Sequence, residues 1–341
     1  MAHTAAPERT QQGNGITTPD TAGHVCGGPR LRVENLTVSF DDGEGGAHIA
    51  LRDVSFDIKR RSCVGIIGEA GAGKTLTARS LQPHHLPADA RMDGRMLLDG
   101  EDIREWPPGS AGIQVLTRNP MNVLNPVRTT GQQLTDAFRH RHDISDRFAR
   151  QLALEAMEQV GIPTPRRSLS RYPHHFSGAM RYRVMAAALT INPPRMLVMD
   201  QPLGLDHGAQ AELTGLLCDI ADRVGSAVLL LSRTPALIAG HCDRLVSLYA
   251  GELMENARTD DLLQRPAHPY TAALLEGAEA AQTGMPPAAT ACTTSEGCLF
   301  RGICPHAMAG CERSQPMVVD QRGRRARCWR HGELNLRAVG G

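Results

Sequence analysis

One stretch constrains this chain more than any other. Residues 63–68, CVGIIG, form an unbroken apolar run that breaks into glycines and then into KTLTARSL. Strand, glycine-rich loop and helix in that order make a phosphate-binding βα unit. The loop itself, Gly68-Glu69-Ala70-Gly71-Ala72-Gly73-Lys74-Thr75, satisfies the G-x-x-x-x-G-K-[S/T] pattern. Its glycines let backbone N–H groups turn inward as an anion nest at a helix N-terminus. Lys74 is then placed to reach the β- and γ-phosphates, and Thr75 to hold Mg²⁺. A second buried strand, RMLVMD, carries Asp200 at its end to complete the Mg²⁺ site.

The rest of the chain supplies the grammar this unit needs. RMLVMD and AVLLLS are strand-length apolar runs separated by the helical stretch AQAELTGLLCDIADRVG, the βαβ pattern of a parallel sheet. Residues 31–60 alternate apolar and polar around a Gly-rich turn, which predicts an antiparallel hairpin with one wet face. Residues 130–170 read as charged helices, DRFARQLALEAMEQVG ending on Gly161. From about 266 the composition turns to Ala, Gly, Pro and Cys, so a boundary is expected there. Residues 1–30 are polar and read as a disordered leader without a signal peptide. The longest apolar runs, such as AVLLL, are too short to span a bilayer. A cytoplasmic protein is expected. Net charge is +1, which gives no reason to expect nucleic acid as a partner.

Downstream segments carry a family resemblance. YPHHFSGAMRYRVMAAAL (172–189) resembles the signature region of ABC-type ATPases. NPMNVLNPV (119–127), YAGELME (249–255) and HPYTAALLE (268–276) resemble one branch of them, the ATP-binding subunits of oligopeptide, dipeptide and nickel importers. The resemblance runs from about 31 to 331. It implies an α/β P-loop fold with a RecA-like parallel-sheet core, an antiparallel β-subdomain and an inserted helical subdomain at about 128–190. The ATP-binding domain would span 31–265 and a C-terminal extension 266–341. It also implies ATP and Mg²⁺ as cofactors. Two such subunits would pair head to tail around two ATP molecules, on the inner face of the membrane. The pair would drive two permease subunits supplied by an extracytoplasmic solute-binding protein.

Set beside that family pattern, the positions that carry hydrolysis are altered. The glutamate that polarises the attacking water is replaced by Gln201, which cannot accept a proton. The switch histidine aligns with Arg233 in LSRTP, and the Mg²⁺-sensing glutamine with Arg118 in LTRNPMNVLNP. The segment after Gln201 is one residue shorter than in relatives, tightening the loop around Asp206. The signature reads Phe176-Ser177-Gly178-Ala179-Met180. Ser177 and Gly178 are kept, while Ala179 adds a methyl where glycine is usual. An asymmetric heterodimer is therefore expected, in which this chain holds ATP and lends its signature to a second, intact ATPase subunit. Phe40 is a candidate for stacking on adenine, with a core phenylalanine as the alternative. The stretch 119–127 is where the family meets its permease. The pairs His84-His85 and His174-His175 lack ligand spacing and read as surface or capping residues. A different class of function, a regulatory or scaffold subunit that binds ATP without driving transport, fits the same substitutions.

Nine cysteines are unevenly spread, and Cys298, Cys304, Cys311 and Cys328 fall near the C-terminus as C-x₅-C-x₆-C-x₁₆-C. Four thiols in a Gly/Pro-punctuated segment suggest a metal staple in a reducing compartment. The importer branch carries a similar tail, and the resemblance implies a 4Fe–4S cluster. Zinc is the alternative, although the CxxC knuckle is missing.

Overall fold

The computed structural model describes residues 28–41, 46–107, 110, 112–116, 124–141, 143–191, 193–200, 205–277 and 296–336. Strands β1 (Leu31–Asp41) and β2 (Ala47–Ile58) form the expected antiparallel hairpin. Then β3 (Cys63–Ile67) feeds the phosphate loop and α1 (Lys74–Ser80). Strands β4 (Ala90–Leu98) and β5 (Glu101–Asp102) complete a four-stranded antiparallel sheet in the order β2-β1-β4-β5.

After β6 (Ile113–Leu116) the chain becomes helical: α2 (Thr130–Arg141), α3 (Asp146–Gln159), α4 (Pro165–Ser168) and α5 (Gly178–Ile191). Local chemistry sets these limits. The Ser145 hydroxyl accepts the N–H of Phe148 to start α3, and Ala149, Ala153, Ala156 and Met157 form its buried stripe. The core resumes with β7 (Met196–Asp200), α6 (His207–Val224), β8 (Ala227–Ser232), α7 (Pro235–Ala239), β9 (Arg244–Tyr249), β10 (Glu252–Arg258), α8 (Thr259–Gln264) and α9 (Pro269–Gly277). Two short strands follow, β11 (Val318–Val319) and β12 (Arg325–Ala326).

The main sheet runs β11-β12-β10-β9-β3-β8-β7-β6. Strands β3, β7 and β8 are buried along their whole length, as continuous apolar runs between two covered faces should be. Their side chains alternate between two cores. Val64, Ile66, Val198, Leu229 and Leu231 face the antiparallel sheet. Cys63, Ile67, Leu197, Met199, Val228 and Leu230 face the helices.

The parallel-sheet core expected from the resemblance needs one correction. The five strands β9-β3-β8-β7-β6 are parallel, but β10, β12 and β11 continue the sheet antiparallel, so it is mixed. The reversal comes from the two-residue turn at Ala250 (φ 47°) and Gly251 (φ 83°), whose positive φ values suit a tight hairpin. A Cβ on Gly251 would sit 2.3 Å from the Ala50 carbonyl oxygen, so the turn is pressed against β2. The C-terminal extension thus adds strands to the main sheet. Its Cys298, Phe300 and Cys311 lie in the same core as Ile67. Among the described residues no helix is long and apolar enough to cross a membrane.

Candidate functional site

The end of β3 and the start of α1 enclose a cavity of about 560 Å³ lined by Ala50, the loop residues Ala70–Gly73, then Lys74, Thr75 and Leu76, and Arg233. Each wall follows from the sheet. Because β3 lies between β8 and β9, the residue that leaves β8 next, Arg233, comes out beside the loop. Asp200 ends the neighbouring strand β7, and its Oδ2 accepts a 2.9 Å bond from Thr75 Oγ1. The two candidate Mg²⁺ ligands are therefore within reach of one ion. Lys74 is buried, and its Nζ donates to the carbonyl oxygens of Gly68 and Glu69, both at 2.7 Å. The ammonium is held on the loop's own backbone, at the base of the cradle. Burial raises the Glu69 carboxyl above its ordinary range, while Lys74 pulls it down.

Gly68 is the tightest point. A Cβ there would lie 2.4 Å from the Leu248 carbonyl oxygen and 3.3 Å from the Tyr270 hydroxyl. Only the residue without a side chain lets the loop pass between β9 and α9. Chemically, this set of a glycine-rich loop at a helix start, one ammonium, a hydroxyl, a carboxylate and a guanidinium suits a polyphosphate with its cation.

Other sequence candidates fall elsewhere. Phe40 pairs across the sheet with His48 and Ala90 and packs, half-buried, against the antiparallel-sheet core. It is not among the residues lining the cavity. Ser177, Gly178 and Ala179 sit at the start of α5, where the Ser177 hydroxyl accepts the Met180 N–H at 3.4 Å. Ser177 is exposed. Asp206 caps α6 by accepting the Ala209 N–H at 2.8 Å. Gln201, Arg118 and residues 119–123 lie outside the described residues. The end of the 119–127 stretch is a turn in which Asn125 exchanges bonds with Gln133 and Val127 is exposed.

In the tail, Cys298, Cys311 and Cys328 are buried and Cys304 half-buried, all as free thiols. Burial pushes the Cys298 thiol up to about 11, with Cys311, Cys304 and Cys328 adding to the shift. Burial likewise raises Cys304 and Cys328. The N–H groups of Phe300, His306 and Arg330 donate to the sulfurs of Cys298, Cys304 and Cys328, each two residues on, and favour the thiolates. Among the described residues no group of three or more His, Cys, Asp or Glu side chains is placed to hold a metal ion. The expected metal set is therefore not assembled around a single point, the arrangement that tetrahedral zinc requires.

The structure adds residues that carried no local signal of a role. Tyr270 Oη accepts the Glu69 N–H at 3.3 Å. Glu255, fully buried, accepts N–H bonds from Ala267 and His268. Cys63 and Cys242 place their sulfurs 3.5 Å apart behind the loop strand. Of these, only Tyr270 could have been flagged, through the HPY string.

Residues 51–204 match the ABC transporter family, and residues 254–311 match the C-terminal region of the oligopeptide/dipeptide transporter family. The chain is 34% identical over 327 residues to the dipeptide transport ATP-binding protein DppD of Bacillus subtilis, covering 91% of this chain and 97% of that one. It is 31% identical over 316 residues to the oligopeptide transport ATP-binding protein OppD of Salmonella typhimurium, covering 88% and 93%. Among solved structures, cbiO1 from Clostridium perfringens, part of the ABC transporter complex cbiONQ, aligns with a TM-score of 0.56 at 20% identity, over 69% of this chain and 90% of that one. The dimeric ATP-binding cassette MJ0796 bound to ADP and Pi aligns with a TM-score of 0.57 at 20% identity, over 67% and 98%. At such identity these two speak for the fold.

Proposed function

Because this chain belongs to the oligopeptide and dipeptide importer family of ABC-transporter ATP-binding subunits, we propose that it binds ATP for an importer of peptides or similar small solutes, nickel included, as the weak half of an unlike pair. One observation carries the reading. The Lys74, Thr75 and Asp200 cradle is complete, while the residue that follows Asp200 is an amide, Gln201. Without a positioned general base, turnover falls by roughly 10²–10⁴-fold. Arg233 stands at the cavity where a histidine is usual, and its guanidinium can contact a γ-phosphate but cannot shuttle a proton. Arg118 would put a second cation near Mg²⁺, which is unfavourable.

In this account Ser177 and Gly178, at the start of α5, offer a hydroxyl, N–H groups and a helix dipole to the γ-phosphate held by a complete partner ATPase. The partners are that second ATPase, two permeases and, through them, an extracytoplasmic solute-binding protein. The chain sits peripherally on the cytoplasmic face. Purified alone it should bind Mg²⁺-ATP yet hydrolyse it at least ~100-fold more slowly than when assembled with the complete ATPase. Ordinary turnover by the isolated chain would overturn the reading. Gln201→Glu alone should restore little, because Arg233 and Arg118 remain. Transport that persists without this chain would favour the scaffold role instead.

For the tail we propose the 4Fe–4S reading over zinc. Cluster ligands bind four separate irons and need not close on one ion, and Cys298, Cys304, Cys311 and Cys328 are four free thiols in one short segment. Anaerobic purification should give a brown protein with equal loss of colour and iron on chelation; a colourless, zinc-loaded protein would reject the cluster.

A further inference from the structure

The sheet delivers the phosphate loop directly onto the segment His268-Pro269-Tyr270, and nothing in the ATP cradle itself accounts for the contact. Tyr270 is completely buried. Its hydroxyl donates to the Leu248 carbonyl at 2.9 Å and accepts the Glu69 N–H at 3.3 Å. Leu248 is the penultimate residue of β9, the strand next to β3, and Glu69 is the second residue of the loop, so one hydroxyl ties the loop's entry to the sheet. The Cβ that Gly68 lacks would meet both partners of this knot.

The ring carrying that hydroxyl is held in turn by the C-terminal extension. Phe300 packs edge-on against Tyr270 and Tyr249, with centroids 5.5 Å away in each case, and Tyr249 and Tyr270 lie 4.7 Å apart. The Phe300 N–H is the donor to Cys298 sulfur. On the other side, His268 Nδ1 accepts the Tyr270 N–H at 3.0 Å, and its second nitrogen donates to the Arg327 carbonyl, the residue before Cys328. Both chain segments that bear tail thiols are thus one side chain away from Tyr270. Burial pushes His268 down to about 3, so it stays neutral and keeps one accepting and one donating nitrogen across the physiological range.

We propose that Tyr270 is a positioning residue for nucleotide, and that the C-terminal extension, through Phe300 and His268, holds it in place and thereby sets the affinity of the phosphate loop. The inference rests on the nucleotide-binding reading above. A phosphate loop held in one geometry loses affinity when its anchoring amide is freed, since the bound geometry must then be ordered at the moment of binding.

The test is Mg²⁺-ATP affinity, by calorimetric titration of the full chain well below its melting temperature. Lys74→Ala serves as the control: if it binds ATP as the wild type does, or the wild type does not bind, the nucleotide reading fails and not this inference. Given a normal control, Tyr270→Phe, which keeps the ring and loses only the hydroxyl, should weaken ATP binding about tenfold. Hydrogen exchange should quicken at the amides of 69–73 while the β7 and β8 amides stay protected. Phe300→Leu should weaken binding too, and its effect should largely vanish in the Tyr270→Phe background. If Tyr270→Phe lowers the melting temperature but binds ATP within twofold of wild type, the hydroxyl is merely structural and the proposal is wrong. Full additivity of the two substitutions would sever the extension from the loop and overturn the second half. Should Phe300→Leu not fold, His268→Gln provides the same cycle from the other side.

Discussion

The phosphate loop and the C-terminal extension meet at Tyr270 but are made by opposite means. The loop is a backbone object: a buried strand, glycines and a helix start, with Lys74 folded onto loop carbonyls. The extension has two strands of two residues each and a single 3₁₀ turn among its described residues from 296 onward. Side chains hold it instead. Phe300 sits among tyrosines, Arg324 pairs with Asp320 at 2.6 Å, and Arg327 reaches Asp53 on β2 at 3.0 Å. Both pairs are part-buried hydrogen bonds that fasten the extension alongside the buried ring. A backbone object announces itself in sequence spacing, whereas a side-chain assembly of distant residues does not.

Phe300→Ala is the strongest way to test that contrast. It should destabilise the protein by about 3–5 kcal/mol in chemical denaturation, in one cooperative transition because Phe300 shares its core with Ile67 and Tyr270. A separate early transition confined to the extension would mean the two regions are independent after all. Next comes Gly68→Ala. Its methyl would press on the Leu248 carbonyl, so the loop must shift, with a cost of about 1–3 kcal/mol. ATP binding should fall far more than stability does, whereas unchanged affinity would show that the loop's entry tolerates displacement.

The most gradual effect concerns pH. Burial pushes Glu255 from an ordinary 4.5 up to about 7, although the Ala267 and His268 N–H groups pull the other way. Its neighbour His268 moves from 6.5 down to about 3. The raised carboxyl keeps a proton that the unfolded chain loses, so stability drains as pH rises from 4.5 through 7. The depressed imidazole refuses a proton that the unfolded chain takes up, so stability drains as pH falls from 6.5 towards 3. Between 4.5 and 6.5 the two slopes oppose each other. Glu255→Gln removes one of them. The stability of the variant relative to wild type should climb by about 1.4 kcal/mol per pH unit across that window and level off above 7. A constant difference would show that Glu255 is ionised in the folded protein throughout.

Much of the fold could be read in advance because its signals are local. The loop spacing, the apolar runs of β3, β7 and β8, and the alternation of β1 and β2 each lie within a dozen residues. The helical capping of α3 by Ser145 is equally local. What escaped was long-range. Tyr270 and Glu69 are 201 positions apart, and the join of Ala326 to Glu255 rests on strands too short to show any period. The sheet's antiparallel end was therefore missed, while the parallel arrangement holds for the five strands β9-β3-β8-β7-β6. In the site, the loop spacing and the strand-end aspartate were enough to single out Lys74, Thr75 and Asp200, which the fold brings to one place. Phe40 shows the limit: an aromatic residue on an early strand is equally good core, and here it packs on the antiparallel-sheet core.

The antiparallel continuation of the main sheet has one more consequence. Strand β10 offers its outer rim to β12 at Glu255 and Asn256, and β12, bordered by Arg324 and Arg327, carries β11 on its far side. Cutting the chain after the ATP-binding domain would strip that border and leave amides and carbonyls of an otherwise buried strand facing solvent, an open template for strand addition by a neighbour. The last stretch of the chain thus acts as a selvedge: it finishes the fabric of the sheet and keeps one molecule from being stitched to the next.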